Sequence, residues 1–87
     1  MDATIEPTLM RPTWYEIDLD AICENYRTLR NWVGADVKVY SCLKRNAYGC
    51  GIQAVSRSLE KEGTDGMAVG NINDALAIRK AGVELPI

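Results

Sequence analysis

Lys44 and Tyr48 are the two side chains whose type and place in the sequence could carry chemistry. Lys44 follows a β-rich run, Val37 to Leu43, and Tyr48 lies four residues further on, directly before Gly49. Parallel α/β folds build their sites where strands end in such glycine-containing loops. The lysine amine is the reactive candidate, and the tyrosine hydroxyl can donate a hydrogen bond to an anion. From local pattern alone, a solvated lysine and a packed tyrosine ring are the commoner roles.

The composition excludes several other kinds of chemistry. The 87 residues contain no histidine, which removes Ser-His and Cys-His nucleophile pairs and histidine-bearing zinc sites. Cys23, Cys42 and Cys50 are widely spaced without a C-x-x-C pair, so we expect reduced thiols and no metal site. The formal charge of -2 argues against nucleic-acid binding, and no apolar run has the length of a membrane span. Without a signal-peptide pattern, a cytoplasmic protein is the simplest expectation.

The first part of the chain predicts a strand followed by a helix. Residues 1–12 hold two prolines and predict an extended lead-in segment. Tyr15, Ile17 and Leu19 alternate with acidic residues, which predicts a half-buried strand. Asp18 or Asp20 can then cap a helix, which we expect to end near Gly34.

From Val37 onwards, strands and helices alternate at the interval of about thirty residues that is typical of βα units. The predicted elements are a strand at 37–43, a helix at 52–62 ended by Gly63, a strand at 67–69, a helix capped by Asn71 with Asp74 three residues on and ended by Gly82, and the beginning of a strand at 85–87. Parallel strands need cover on both faces and neighbours along both edges, which two units cannot supply. We therefore predict a truncated chain of α/β class.

The segment from Lys44 to Gly51, Lys-Arg-Asn-Ala-Tyr-Gly-Cys-Gly, closely resembles the signature of the alanine racemase family of fold type III pyridoxal-phosphate enzymes. The resemblance extends from Arg11 to Ile87, and includes that family's opening strand and helix start, its second barrel strand and the helix after it. It implies that residues 13–87 are the N-terminal part of a (β/α)8 TIM-type barrel domain, incomplete in this chain and truncated at 87.

The resemblance also implies roles for the two candidate residues. Lys44 matches the lysine that forms the internal aldimine with pyridoxal 5'-phosphate, and Tyr48 matches the tyrosine that hydrogen-bonds the cofactor phosphate. The implied enzyme is an isomerase, a cytoplasmic homodimer that interconverts L- and D-alanine, with Lys44 as acid or base on one face of the substrate. In the family the second acid or base is a tyrosine of a later domain, so we expect these 87 residues alone to be inactive.

Two positions in the signature depart from the family pattern. Arg45 stands where a small residue is usual, and Cys50 stands where histidine is usual. Cofactor binding is still expected, but the substrate could be serine, lysine or another amino acid. An interpretation of a different class is a non-catalytic fragment that folds only with a partner. Cys42 shares strand parity with Lys44, and is expected either to face the cofactor or to pack as a small hydrophobic side chain.

Overall fold

The computed structural model describes residues 14–87 and contains two short parallel strands and four helices, two of which lie between the strands in the chain. The elements in chain order are α1 (Leu19–Val33), β1 (Tyr40–Cys42), α2 (Lys44–Tyr48), α3 (Ile52–Glu62), β2 (Gly66–Ala68) and α4 (Ile72–Lys80). Strands β1 and β2 pair in parallel, with Ser41 opposite Met67. A parallel pair needs a crossover connection, which α3 provides, so this part of the chain is a βαβ unit as predicted.

Two of the helices begin at the capping residues that the sequence indicates. Asp18 Oδ1 accepts a hydrogen bond of 3.1 Å from the Ala21 N–H at the start of α1. Asn71 Oδ1 accepts one of 2.9 Å from the Asp74 N–H at the start of α4. Helix α3 has the predicted bounds, and Gly63 ends it in the left-handed conformation that glycine adopts at little cost.

The core joins helices α1, α3 and α4 to the two strands. Its side chains are all buried: Tyr26, Leu43, Ala47, Ile52, Val55, Leu59, Met67, Ile78 and Val83. Leu43 and Ala47 are each 4% exposed, and they lie on either side of Lys44 in the sequence. The segment that carries Lys44 is therefore anchored in the core at both ends.

The predicted strand at 15–19 is wrong. Residues 14–18 belong to no helix or strand, and α1 already begins at Leu19. Alternation makes a strand only where a neighbouring strand accepts its hydrogen bonds, and in the described residues the sheet contains β1 and β2 alone. Tyr15 is accordingly 91% exposed. The predicted lead-in at 1–12, and Thr13, lie outside the described residues.

The predicted strand at 85–87 is not formed either, because only one hydrogen bond joins this segment to the sheet. The Pro86 carbonyl accepts a hydrogen bond of 2.9 Å from the Met67 N–H of β2. The two observed strands are also shorter than predicted or displaced: β1 begins at Tyr40 instead of Val37, and β2 lies one residue earlier than 67–69. Sequence periodicity therefore locates β1 and β2 but does not predict the residues at which these strands begin and end.

Asp65 connects α1, β1 and β2 at the end of the sheet away from Lys44. Its Oδ2 accepts hydrogen bonds from the Val39 N–H at 2.7 Å and from Arg30 Nη2 at 2.6 Å. Arg30 also donates to the Tyr26 hydroxyl at 3.2 Å. The Val39 N–H, and next the Arg30 guanidinium, hold the pKa of Asp65 below its ordinary value.

Because of Asp65, we expect the free energy of unfolding to fall in the acid range. A carboxylate whose pKa is lower in the folded state stabilises the fold fully above its unfolded pKa of about 4, and this is lost as the pH falls through the folded pKa. Thermal unfolding should show Asp65→Asn to be less stable than the parent at about pH 6, with a gap that narrows towards about pH 3. Asp36→Asn is the control, since the exposed Asp36 makes no hydrogen bond with any residue in 14–87. A gap that stays constant with pH would contradict this role.

Candidate functional site

Lys44 follows β1 at the carboxyl end of the sheet. The Leu43 N–H donates a hydrogen bond of 2.8 Å to the Ala68 carbonyl, which fixes the backbone immediately before Lys44. The Lys44 side chain is exposed, and its stem passes beside Gly70, where a Cβ would lie 3.6 Å from Lys44 Cγ. Since Gly70 follows β2, Lys44 lies across the carboxyl ends of both strands.

The four residues that follow Lys44, from Arg45 to Tyr48, form a left-handed helical turn. The φ angles of Arg45, Asn46, Ala47 and Tyr48 are 52°, 58°, 55° and 57°. The sequence predicts a tight backbone path only at Gly49 and Gly51, and it does not predict the left-handed conformation of the four residues before them. Non-glycine residues pay roughly 1–2 kcal/mol each in this conformation. Such backbone persists only where surrounding groups fix it, and it clusters at functional sites.

Part of that support comes from the turn itself and from α3. The Ala47 N–H donates a hydrogen bond of 3.1 Å to the Leu43 carbonyl, so the turn closes on the buried residue that precedes Lys44. Asn46 Oδ1 accepts a hydrogen bond of 2.9 Å from the Ile52 N–H, the first residue of α3. The turn is therefore fixed to β1 at one end and to α3 at the other.

Cys42 and Tyr48 meet at this end of the sheet, with 3.3 Å between Cys42 Sγ and the Tyr48 hydroxyl. The hydrogen bond with Tyr48, and next the Lys44 backbone N–H, lower the pKa of the Cys42 thiol. The same bond with Cys42 raises the pKa of the Tyr48 hydroxyl. Cys42 is exposed, so the alternative that it packs as a buried hydrophobic side chain is wrong.

Two concave surfaces border these residues. An open, mostly apolar groove of about 580 Å³ lies between β2, the first turn of α4 and Ile87, and Gly70 is part of its wall. A smaller hollow of about 170 Å³ is lined by Tyr15, Ile17 and the segment from Tyr48 to Cys50. The segment before α1 therefore lies against the end of the left-handed turn.

Within 14–87, no group of three or more cysteine, aspartate or glutamate side chains is arranged to hold a metal ion. No helix in the same range combines the length and the apolar character of a membrane span.

Asp74 is the residue at this site that the sequence does not indicate. Its spacing from Asn71 predicts only a place in the first turn of α4. In the structure its carboxylate also contacts the backbone of the left-handed turn, 28 and 29 residues earlier in the chain. No local pattern reports a contact of that separation.

Comparison with known proteins identifies the family. The family model described as "Alanine racemase, N-terminal domain" matches residues 17–87. Alanine racemase 1 of Caldanaerobacter subterraneus subsp. tengcongensis is 42% identical over 78 residues, which are 90% of this chain and 20% of that protein. The alanine racemase of Geobacillus stearothermophilus is 42% identical over 77 residues, with coverages of 88% and 20%. The chain thus spans about a fifth of the length of the curated relatives it matches.

Two solved structures of alanine racemases have the same fold as this chain over the part that superimposes. An alanine racemase of Clostridium difficile 630 superimposes with a TM-score of 0.83 at 36% identity, over 92% of this chain and 21% of that one. An alanine racemase from Bartonella henselae, with covalently bound pyridoxal phosphate, gives a TM-score of 0.75 at 34% identity, over 82% and 20%. These structures confirm the predicted first βα units of a TIM-type barrel, and with the match over 17–87 they show that the chain belongs to the alanine racemase N-terminal domain family.

Proposed function

We propose that this chain is the amino-terminal part of a pyridoxal-phosphate-dependent alanine racemase, in which Lys44 binds the cofactor and Tyr48 holds its phosphate. The observation that carries the proposal is the placement of both residues on one fixed turn at the carboxyl end of β1, in a chain of this family. In barrels of parallel strands, active sites are built at that end. Residues 13–87 would then begin the barrel domain.

The side chains at this end of the sheet fit pyridoxal phosphate. Lys44 presents an exposed amine, the group that condenses with an aldehyde, and the absence of a side chain at Gly70 leaves space beside its stem. The exposed Tyr48 hydroxyl has a single proton, which it donates to a phosphate oxygen when the Cys42 thiol is the donor in their contact. The covalently bound pyridoxal phosphate of the Bartonella henselae relative supports the same assignment.

The cofactor and the residues of this chain have different roles in the proposed reaction. The cofactor, when bound, supplies an electron sink that makes the hydrogen on the substrate α-carbon acidic. Lys44 Nζ binds the cofactor and, when free, holds or moves a proton on one face of the α-carbon. Tyr48 orients the phosphate, while Leu43 and Ala47 in the core keep the turn from shifting.

Racemisation needs an acid or base on each face of the α-carbon, and Lys44 can serve only one. Tyr26 is buried and hydrogen-bonded to Arg30. Tyr40 belongs to β1 and its ring lies against Gly66, while Tyr15 lies in the segment before α1. We assign the second group to a part of the polypeptide outside these residues, in a cytoplasmic homodimer. The 87 residues alone are accordingly expected to be inactive.

Alanine is favoured over serine or lysine as substrate, because the relatives described above are alanine racemases. The two departures from the family pattern lie beside the candidate residues, Arg45 directly after Lys44 and Cys50 in the wall of the hollow that Tyr48 also lines. Arg45 is exposed, and Cys50 packs against the core. The family match likewise disfavours a non-catalytic fragment as the role of the gene product.

Borohydride reduction of the complete polypeptide in the presence of pyridoxal phosphate, followed by peptide mass analysis, tests the proposal. We expect the pyridoxyl group on the peptide that contains Lys44, and formation of D-alanine from L-alanine by the unreduced protein. Lys38, an exposed lysine on the other side of β1, is the internal control for non-specific labelling. Equal labelling of Lys38 and Lys44, or none at Lys44, would refute the assignment. Faster turnover of serine or lysine than of alanine would instead change the substrate.

A further inference from the structure

We propose that Asp74 is a positioning residue that holds the left-handed turn from α4. Its Oδ2 accepts a hydrogen bond of 3.1 Å from the Arg45 N–H, and its Oδ1 accepts one of 3.4 Å from the Asn46 N–H. The inference rests on the proposed function, because it gives the turn the task of presenting Lys44 and Tyr48 to the cofactor.

The two N–H groups need a partner from outside the turn. The first N–H groups of any helical turn have no acceptor within it, and this holds for a left-handed turn as well. Arg45 and Asn46 also occupy a backbone region that is unfavourable for their side chains, so their conformation depends on external contacts. A carboxylate that accepts both N–H groups makes charge-assisted hydrogen bonds, which are stronger than neutral ones.

Asp74 is itself held in place by the helix it belongs to. Its N–H donates to Asn71 Oδ1 at 2.9 Å, and Asn71 Nδ2 donates to Asp74 Oδ2 at 3.2 Å. Further along α4, Ile78 is 0% exposed and fixes the helix in the core. The carboxylate therefore links the segments that follow β1 and β2, the two neighbouring strands whose carboxyl ends form the site.

Because Asp74 holds the middle of the turn, we expect loss of its carboxylate to displace the residues at both ends of the turn. Lys44 precedes the residues that Asp74 contacts, and Tyr48 follows them. Loss of the carboxylate lets Arg45 and Asn46 return towards ordinary backbone angles, which changes the relative position of Lys44 and Tyr48. The affinity for the cofactor then falls, although Asp74 acts only through the backbone of the turn.

Asp74→Ala in the complete polypeptide tests the role, with Asn73→Ala as the matched control. Asn73 is the preceding residue of α4, it is exposed, and its side chain makes no hydrogen bond with any residue of the described range. We expect Asp74→Ala to raise the dissociation constant for pyridoxal phosphate about tenfold or more, as for loss of hydrogen bonds to a charged group. Asn73→Ala should stay within about twofold of the parent.

A second readout does not need the cofactor. In the cofactor-free polypeptide, amide hydrogen exchange of the peptide that covers residues 43–49 should become faster in Asp74→Ala, while the peptide that covers β2 should be unchanged. Adding Arg45→Gly to Asp74→Ala should recover most of the cofactor affinity, because glycine adopts a positive φ without strain. A purely structural loss in α4 would not be rescued at position 45.

The outcomes separate the two proposals. If the parent polypeptide does not take up pyridoxal phosphate on Lys44, the proposed function fails and this inference fails with it. If the parent does, but Asp74→Ala matches Asn73→Ala in affinity and exchange, only the role of Asp74 is overturned. Should Asp74→Ala not fold, Asp74→Asn keeps the side-chain shape and removes the charge. The cofactor affinity and the amide exchange of Asp74→Asn are then compared with those of Asn73→Ala, and equal values would overturn the role of Asp74.

Discussion

Lys44→Ala is expected to abolish covalent retention of pyridoxal phosphate by the complete polypeptide. The alanine variant has no amine after β1 to condense with the cofactor aldehyde, and no other side chain between positions 45 and 48 carries a primary amine that could replace it. The visible absorbance of the covalently held cofactor, measured after removal of free pyridoxal phosphate, should disappear, together with alanine racemisation.

The control for this loss is Lys38→Ala, which removes an exposed lysine before β1 and leaves the turn intact. It should keep both absorbance and activity. If Lys44→Ala retained the parent's absorbance, the cofactor would belong to another lysine, and the site described at the carboxyl end of the sheet would be misassigned.

Tyr48→Phe is expected to weaken cofactor retention by about 1.5–3 kcal/mol, the contribution of a hydrogen bond to a charged group. This corresponds to a dissociation constant raised roughly ten- to hundredfold. The ring is preserved, so only the hydroxyl that meets Cys42 is removed. Equilibrium titration with pyridoxal phosphate, followed by the absorbance of the bound form, measures the change.

Tyr15→Phe provides the comparison for Tyr48→Phe. Tyr15 is nearly fully exposed and lines the same hollow as Tyr48, but its hydroxyl makes no hydrogen bond with residues 14–87. Its variant should bind the cofactor as the parent does. Equal affinity of the Tyr48→Phe variant and the parent would remove Tyr48 from the phosphate site.

The sequence predicts those parts of the fold that depend on local patterns. The bounds of α3 and the caps at Asp18 and Asn71 follow from periodicity and from side chains that bond to the nearby backbone. The strand predicted at 15–19 fails because a strand depends on a paired neighbour. Alternation in one segment carries no information about that neighbour.

The candidate site also contains features that the sequence predicts and features that it does not. The family signature points to Lys44 and Tyr48 by residue type and spacing, but the left-handed conformation between them comes from contacts made elsewhere. Ala47 is buried in the core, Asn46 bonds to α3, and Asp74 reaches the turn from α4. Chain separation hides such contacts from any reading of a short segment.

The left-handed turn also explains how this chain tolerates an unusual residue, Arg45, at the second position of its signature. At position 45 the backbone N–H bonds to Asp74, while the Arg45 side chain is exposed. Another residue can therefore replace Arg45 without moving the neighbouring residues, provided that it tolerates a positive φ. Valine, isoleucine and threonine are the poorest substitutes, because branching at Cβ makes this conformation strongly unfavourable.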